Sequence, residues 1–302
     1  MTGPSGPPPL PAGYRIDALG RRELQVLADW AAAEGWNPGR GDLDVARAVD
    51  PQAFLALRDG DELVGAGSIL SLGGAMGFMG LFIVREDHRG RGLGTALWHH
   101  RLHRLVDRLA PGAPIGMDGV FAMVPFYESG GFVLAHRDLR MEGTVGAVPA
   151  GPAGPRVGDV LPATAPPVDR NELVRLDERC LGAARPEFLL RWIDRPGVRA
   201  TALLRDGAVV GLGVTRPCEV GHKLGPFLAP DRVGATALLA DLLEPLRGGR
   251  LQWDVPEPNR VALELAADLG LAESFGCARM YRGPAPAVPV SEVFGVTSFE
   301  FG

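Results

Sequence analysis

The sequence predicts an α/β protein with a mixed sheet of α+β character, built twice in one chain of 302 residues. Three observations predict it. Apolar strands flank an Asp-Gly turn at two places, around Asp59-Gly60 and around Asp206-Gly207. After each hairpin come a strand, a helix, a strand, a helix and a strand, in the same order. Between the two sets lies a stretch rich in Gly, Ala, Val and Pro, Thr144–Pro167, nearly free of charge, which reads as a linker or extended crossover.

The elements follow in order. In the first half Phe54-Leu-Ala-Leu-Arg-Asp-Gly60 returns as Glu62-Leu-Val-Gly-Ala-Gly-Ser-Ile-Leu70. Met79–Val84 is a third strand. Leu93–Leu109 carries apolar residues at helical spacing. A short strand ends at Met117-Asp118, a helix follows, and a last strand closes on Arg140-Met141. In the second half Thr201-Ala-Leu-Leu-Arg-Asp-Gly207 returns as Ala208-Val-Val-Gly-Leu-Gly-Val214. Leu224–Leu228, Ala235–Leu246, a strand ending at Trp253-Asp254, a helix and a strand closing on Arg279-Met280 complete the repeat. The expected division is a disordered tail over 1–12, a domain over 13–143, a linker over 144–167 and a second domain over 168–302.

Composition narrows the function. The hydrophobic fraction of 46% and charged fraction of 22% are those of a globular protein, and no apolar run approaches the length that spans a bilayer. A net charge of −5 argues against a nucleic-acid partner, which favours a basic surface. The N-terminus lacks the charged and apolar regions of a signal peptide. Cys180, Cys218 and Cys277 form no paired-thiolate spacing, so a reduced, cytoplasmic setting is expected. His99, His103 and Asp107 share a helix face, but a solvated polar face explains them and no metal is expected. Oligomeric state is not legible.

The most informative segment is Phe82-Ile-Val-Arg-Glu-Asp-His-Arg-Gly-Arg-Gly-Leu-Gly-Thr95. A strand runs into a Gly-rich turn that opens a helix, so that backbone N–H groups converge where phosphate oxygens bind. A Walker loop needs a Lys, and this half has none. A dinucleotide fingerprint needs G-x-G-x-x-G, and Thr95 stands where its third Gly would be.

The spacing that fits is Arg89-x-x-Gly92-x-Gly94, which resembles the pyrophosphate loop of the GNAT superfamily of acetyltransferases. Tyr127-Glu-Ser-Gly-Gly131-Phe132 is similar to that superfamily's second motif, a Tyr ahead of a Gly-Phe pair. Ala33-Glu-Gly-Trp-Asn-Pro-Gly39 with Asp42, Gly221-His-Lys-Leu-Gly-Pro-Phe227, Arg279-Met-Tyr-Arg-Gly283 and Ser298-Phe-Glu-Phe-Gly302 look like a two-domain bacterial group with a degenerate second domain. The second half has Ala229-Pro-Asp-Arg-Val-Gly-Ala235 where the Gly-rich loop would be. It also has Ala266 where the Tyr would stand. The resemblance therefore implies that the first half alone holds acetyl-CoA.

What the resemblance implies about roles is specific. The pyrophosphate would sit on Arg89, Gly90, Arg91, Gly92, Leu93, Gly94 and Thr95, and the thioester carbonyl against the backbone of Phe82, Ile83 and Val84. Tyr127 would be the general acid, since a phenol of pKa about 10 can protonate a thiolate whose conjugate acid lies near 8.5. The base is open between Asp118, at the C-terminal end of its strand, and Glu34, in the Glu-Gly-Trp-Asn loop. Trp36 and Asn37 are candidates for binding the acceptor, although Trp36 also suits a core position. The implied reaction is acetyl transfer to the primary amine of a small molecule, by direct attack in a ternary complex. The alternative is an acyl-CoA sensor without turnover, favoured by Val120 where the motif has Asn.

Overall fold

The computed structural model describes residues 8–148 and 157–302. The start of the predicted tail, 1–7, and the middle of the predicted linker, 149–156, lie outside the described residues. The first half runs β1 (Tyr14–Ala18), α1 (Leu24–Ala33), α2 (Asp42–Val49), β2 (Phe54–Asp59), β3 (Glu62–Leu72), β4 (Met76–Val84), α3 (Leu93–Val106), β5 (Ile115–Val120), α4 (Val124–Ser129) and β6 (Val133–Thr144). The second runs β7 (Asp159–Pro162), α5 (Arg170–Leu181), α6 (Pro186–Ile193), β8 (Arg199–Arg205), β9 (Ala208–Pro217) and β10 (His222–Leu228). It continues through α7 (Arg232–Leu243), β11 (Arg250–Pro256), α8 (Arg260–Asp268), β12 (Ala272–Arg282) and β13 (Val293–Gly295).

Part of the stretch read as linker is ordered sheet. Asp159–Pro162 form β7, which pairs antiparallel with β8 at the sheet edge, as β1 pairs with β2. An edge strand tolerates Pro162, because its outer N–H row needs no partner.

The two halves share one sheet, in the order β1-β2-β3-β4-β5-β12-β6-β11-β10-β9-β8-β7, with β13 on β10. Its middle is an exchange. The last strand of the second half, β12, lies antiparallel beside β5 of the first half, and β6 of the first lies beside β11 of the second. β6 and β12 pair with each other along the centre. Each half-sheet is thereby completed by the other half's last strand.

The helices cover both faces. Leu24, Leu27 and Ala31 of α1 share a core with Phe188 and Trp192 of α6 and with Phe299 and Phe301 of the C-terminal segment. On the other face Trp98 and Leu105 of α3 pack with Tyr127 and Met117, and Leu238 and Leu242 of α7 pack with Trp253. Asp42 opens α2 fully buried, bonded by Arg216 Nε at 3.0 Å and Arg195 Nη1 at 2.8 Å, both from the second half. Arg140 meets both carboxylate oxygens of Asp254 at 2.7 and 2.9 Å. A layer of buried ion pairs thus lies where the halves meet, on the α1 side of the sheet.

Candidate active site

The site is made where β4 and β5 part. These parallel neighbours pair only from Gly77–Met79 against Ile115–Met117. Beyond that β4 bulges, because Ala66 and Ser68 of β3 face Ile83 and Gly80, so that Gly67 alone is answered by both Leu81 and Phe82. Leu81 takes φ +49° at the bulge, a conformation that L side chains adopt only under constraint. The extra residue reverses the alternation: Phe78 and then Leu81 and Ile83 join the α1-side core, while Phe82 packs on the α3 side. The edge of β4 over Phe82–Val84 faces β5 with no strand partner.

A cavity of about 510 Å³ fills this gap and reaches both faces of the sheet. Met79, Phe82, Trp98, Arg101, Met117 and Tyr127 line the α3 side. Trp36, Leu81, Phe275, Cys277, Phe299 and Glu300 line the other, so the second half supplies much of that wall.

At one end lies the Gly-rich turn. Gly90 and Gly92 sit at φ +76° and +75°, and space is open where a side chain would project from either. Gly92 caps α3 without any side-chain hydrogen bond, and the first turn of α3 contains no acid. Its N–H groups are left for an anion, with the positive end of the helix dipole behind them. Arg89 donates Nε to the Val84 carbonyl at 2.7 Å and Nη2 to Glu34 at 2.8 Å, and it lines the cavity with Gly94. Arg91 reaches the Tyr14 hydroxyl at 3.2 Å and the Asp87 carbonyl at 2.9 Å. Leu93 is buried and anchors the helix, while Thr95 is exposed.

The second half fills the matching places with its own atoms. Asp231 caps α7 by accepting from Gly234 N at 2.8 Å, and it takes both arms of Arg205 at 2.7 and 2.9 Å. A carboxylate therefore stands at that helix N-terminus. β10 and β11 also part after Leu224 and Trp253, and β13 lies in the gap against β10. Asn259 donates Nδ2 to the carbonyls of Ser291 and Val293 at 3.1 and 3.0 Å, and Trp253 Nε1 donates to Phe294 O at 2.8 Å.

Tyr127 is placed by a short helix and an aromatic cluster. Pro125 stands in the first turn of α4, and Gly131, at φ +85°, turns the chain so that Phe132 folds back. Both rings pack on Trp98, at 5.0 and 5.6 Å between centroids, pairings worth about 0.5–1.5 kcal/mol each beyond burial. Gly119 on β5 leaves room for the Tyr127 ring, which any side chain there would strike. The hydroxyl has no hydrogen-bond partner among the described residues, and burial pushes its pKa up to about 12.

The predicted acids are placed differently from one another. Glu34 lies at the cavity mouth, paired with Arg89. Asp118 lines the cavity, but both of its oxygens accept from Arg279, at 2.6 and 2.7 Å. Burial, with the Asp138 carboxyl beside it, pushes its pKa well up. Each oxygen keeps a second lone pair, but the paired hydrogen bonds from Arg279 give Asp118 a structural partner within the cavity wall, which Glu300 lacks among the described residues. Asn37 needs correction as an acceptor-binding residue. It does not line the cavity. Its Nδ2 donates to Gln252 Oε1 at 3.0 Å and Val220 O at 3.1 Å, and its Oδ1 accepts from Val220 N at 3.1 Å. It is a docking residue between the halves. Trp36 does line the cavity, and its carbonyl accepts from Arg140 at 2.9 Å and Lys223 at 3.0 Å.

Four site residues escaped the sequence reading. Arg101 sits on the buried stripe Leu97, Arg101, Leu105 of α3, a spacing that could have revealed it. Its Nη2 donates to the carbonyls of Ser68 and Gly80 at 2.6 Å each, Nε and Nη1 have no partner among the described residues, and burial lowers its pKa to about 9. Phe275, Phe299 and Glu300 come from the end of the chain, and no local pattern ties them to the first half. Among the described residues no group of three or more His, Cys, Asp or Glu could hold a metal ion, and no helix is long and apolar enough to cross a membrane.

A parted parallel strand pair, a bulge and an uncapped Gly-rich helix start define an acyltransferase of the GNAT type, and the chain belongs to this family in both halves. Residues 18–132 match the Acetyltransferase (GNAT) family and residues 173–295 the Acetyltransferase (GNAT) domain. Among its relatives is a holothin acyltransferase from Pseudoalteromonas sp. (strain SANK 73390), 26% identical over 281 residues, 93% of this chain and 92% of that one. The fold is shared with a candidate acetyltransferase of Pyrococcus horikoshii, at a TM-score of 0.80 and 21% identity over 98% of both chains. It is also shared with a tandem GNAT protein from the clavulanic acid biosynthesis pathway, at a TM-score of 0.62 and 18% identity over 90% of this chain and 99% of that one.

Proposed function

We propose that the chain transfers an acetyl group from acetyl-CoA to the primary amine of a small molecule, by direct attack in a ternary complex in the first half. The observation that carries this reading is the free Tyr127 hydroxyl inside a cavity that joins the uncapped start of α3 to the other face of the sheet. In this reading Arg89–Thr95 hold the pyrophosphate, and the unpaired edge of Phe82–Val84 aligns the thioester and donates to its carbonyl oxygen. Tyr127, kept protonated by its raised pKa, protonates the departing sulfur.

The acceptor enters from the α1 side, where Trp36 and the second half enclose it. That enclosure, together with a relative named for acylating holothin, supports a small molecule over a protein terminus. The acceptor amine and acetyl-CoA are the partners this reading requires, and it sets the protein in the cytoplasm. No step in it calls for a metal or for a nucleic-acid or membrane surface. Asp231 and β13 leave the second half no room for the same ligand, so its part is to close the pocket.

The test is thiol release from acetyl-CoA across a panel of small amines and short peptides, with Tyr127→Phe beside the wild type. Turnover that falls about a hundredfold or more in the variant, at unchanged acetyl-CoA affinity, is expected. Acetyl-CoA binding without turnover in either protein would turn the reading towards a sensor.

A further inference from the structure

Glu300 is the acidic side chain of the cavity that lacks a partner among the described residues. Asp118 is committed to Arg279 and Glu34 to Arg89, whereas neither Glu300 carboxylate oxygen accepts a hydrogen bond and Oε2 is wholly buried. The residue is 3% exposed and lines the cavity on the acceptor side.

Its position is fixed by backbone. Glu300 N and Phe301 N both donate to Ser298 Oγ at 3.2 Å, and the Glu300 carbonyl lies against Gly80, where no side chain would fit. Gly80 is the residue just before the bulge, so the carboxylate is rooted beside the strand edge that receives the thioester. Arg140 and Lys223 stand near enough to interact with its charge, but their hydrogen bonds go to Asp254 and to the Trp36 carbonyl. A buried carboxylate without a donor is costly, and a ligand that supplies one removes the cost.

The rest of this side is aromatic and apolar. Phe275 and Phe299 stand 6.1 Å apart between centroids, with Trp36 and Leu81 completing the wall. A second positive charge on the acceptor would find no further unpaired carboxylate among the described residues of the cavity, and the guanidinium of Arg101, which no carboxylate pairs there, would repel it.

Building on the acyl-transfer reading above, we propose that Glu300 accepts the acceptor's amine proton, and that the acceptor is a flat, apolar monoamine seated among Trp36, Phe275 and Phe299. The amine lone pair forms the C–N bond at the thioester carbonyl carbon while an N–H proton passes to Glu300. The C–S electron pair goes to sulfur, which takes the Tyr127 proton. Solvent then returns the Glu300 proton to Tyr127, leaving an amide and a free thiol.

The experiment measures thiol release from acetyl-CoA by the full chain with benzylamine, tryptamine, spermidine and kanamycin, in wild type, Glu300→Gln and Glu300→Asp. The aromatic monoamines are expected to exceed the polycations at least about tenfold in kcat/KM. Glu300→Gln should lower kcat/KM about a hundredfold or more while calorimetric acetyl-CoA affinity stays within about twofold. Glu300→Asp, which withdraws the carboxylate by one methylene, should lose about tenfold and carries the test if the Gln variant does not fold. Activity of Glu300→Gln within about threefold of wild type, or a preference for the polycations, overturns this proposal and leaves acyl transfer standing. No release by the wild type with any amine overturns both.

Discussion

Arg279 on β12 donates Nε and Nη2 to the two oxygens of Asp118 on β5, at 2.6 and 2.7 Å, and so binds the last strand of the second half to the wall of the first half's cavity. The same guanidinium lies 3.3 Å from Asp138 on β6 and over the ring of Phe78 on β4. One side chain thereby joins four strands at the exchange, in a place with almost no solvent. The site and the union of the halves depend on the same residues.

That pairing predicts a stability effect larger than a catalytic one. Arg279→Met leaves Asp118 without its cation and Asp138 with only His136 at 3.3 Å, and removing one partner of such a buried pair costs about 3–5 kcal/mol. In urea unfolding the double variant Arg279→Met/Asp118→Asn is expected to recover at least about 1 kcal/mol of that loss, a coupling expected of neighbours in one network. Strict additivity would show that the two do not act on each other. Asp118→Asn alone should keep kcat/KM within about tenfold of wild type, since its oxygens are already engaged. A larger fall would favour Asp118 as the base.

Cys277 brings a thiol into the cavity, and a thiol near a thioester raises the question of an acyl-enzyme. Burial, with Asp118 and Asp254 nearby, pushes its pKa well up, so the thiolate that would have to attack is disfavoured. Cys277→Ala is expected to retain wild-type kcat/KM within about threefold, and initial rates should show intersecting rather than parallel lines. Parallel lines that vanish in the variant would establish a covalent intermediate.

These residues also show what a sequence discloses and what it does not. The hairpins, the helix after the Gly-rich loop and the Tyr127 helix are local, and spacing with turn chemistry made each legible. The exchange of β6 and β12 was not. Strand alternation tells which residues share a face but not which strand lies alongside, and both strands close on the same Arg-Met pair. Within the loop from Glu34 to Gly39, Glu34 and Trp36 line the cavity while Asn37 faces Cys218 and Gln252, because Asn37 takes φ +49° and turns its amide towards the second half. Glu300 lay beyond reach for a related reason, since its contact with Gly80 joins the last residues of the chain to β4 of the first half.

The occlusion of the second half predicts a stoichiometry. Acetyl-CoA is expected to bind at about one molecule per chain in calorimetry, because Asp231 and β13 hold the places a second would need. Asn259→Ala removes the donor to the carbonyls of Ser291 and Val293 and the cap of α8, whose Ala262 N it accepts at 3.1 Å. Buried acceptors left without a donor cost about 1–3 kcal/mol. The variant should therefore melt earlier while its stoichiometry remains one. A second site appearing in Asn259→Ala would show that β13 displaces a ligand the second half still recognises.

Arg101 has the opposite standing from Arg279, a buried guanidinium without a carboxylate, and this makes its charge visible in pH-dependent stability. Burial lowers its pKa to about 9 in the folded chain, well below the ordinary guanidinium value that the unfolded chain keeps. Below pH 9 both states hold the proton and this group contributes no slope. Above it the unfolded chain binds the proton more fully, so folding becomes more favourable as pH rises. The stability of wild type minus that of Arg101→Met should increase by about 1 kcal/mol between pH 8 and pH 10. The buried thiols of Cys180, Cys218 and Cys277 act in the reverse sense, because burial raises their pKa values, but they are present in both proteins and cancel in the difference. The two carbonyl hydrogen bonds lost in the variant shift its stability by a constant and leave the slope untouched. Denaturant melts at four pH values would measure it. A flat difference would mean that Arg101 keeps an ordinary pKa and that its Nε and Nη1 are solvated in the folded protein.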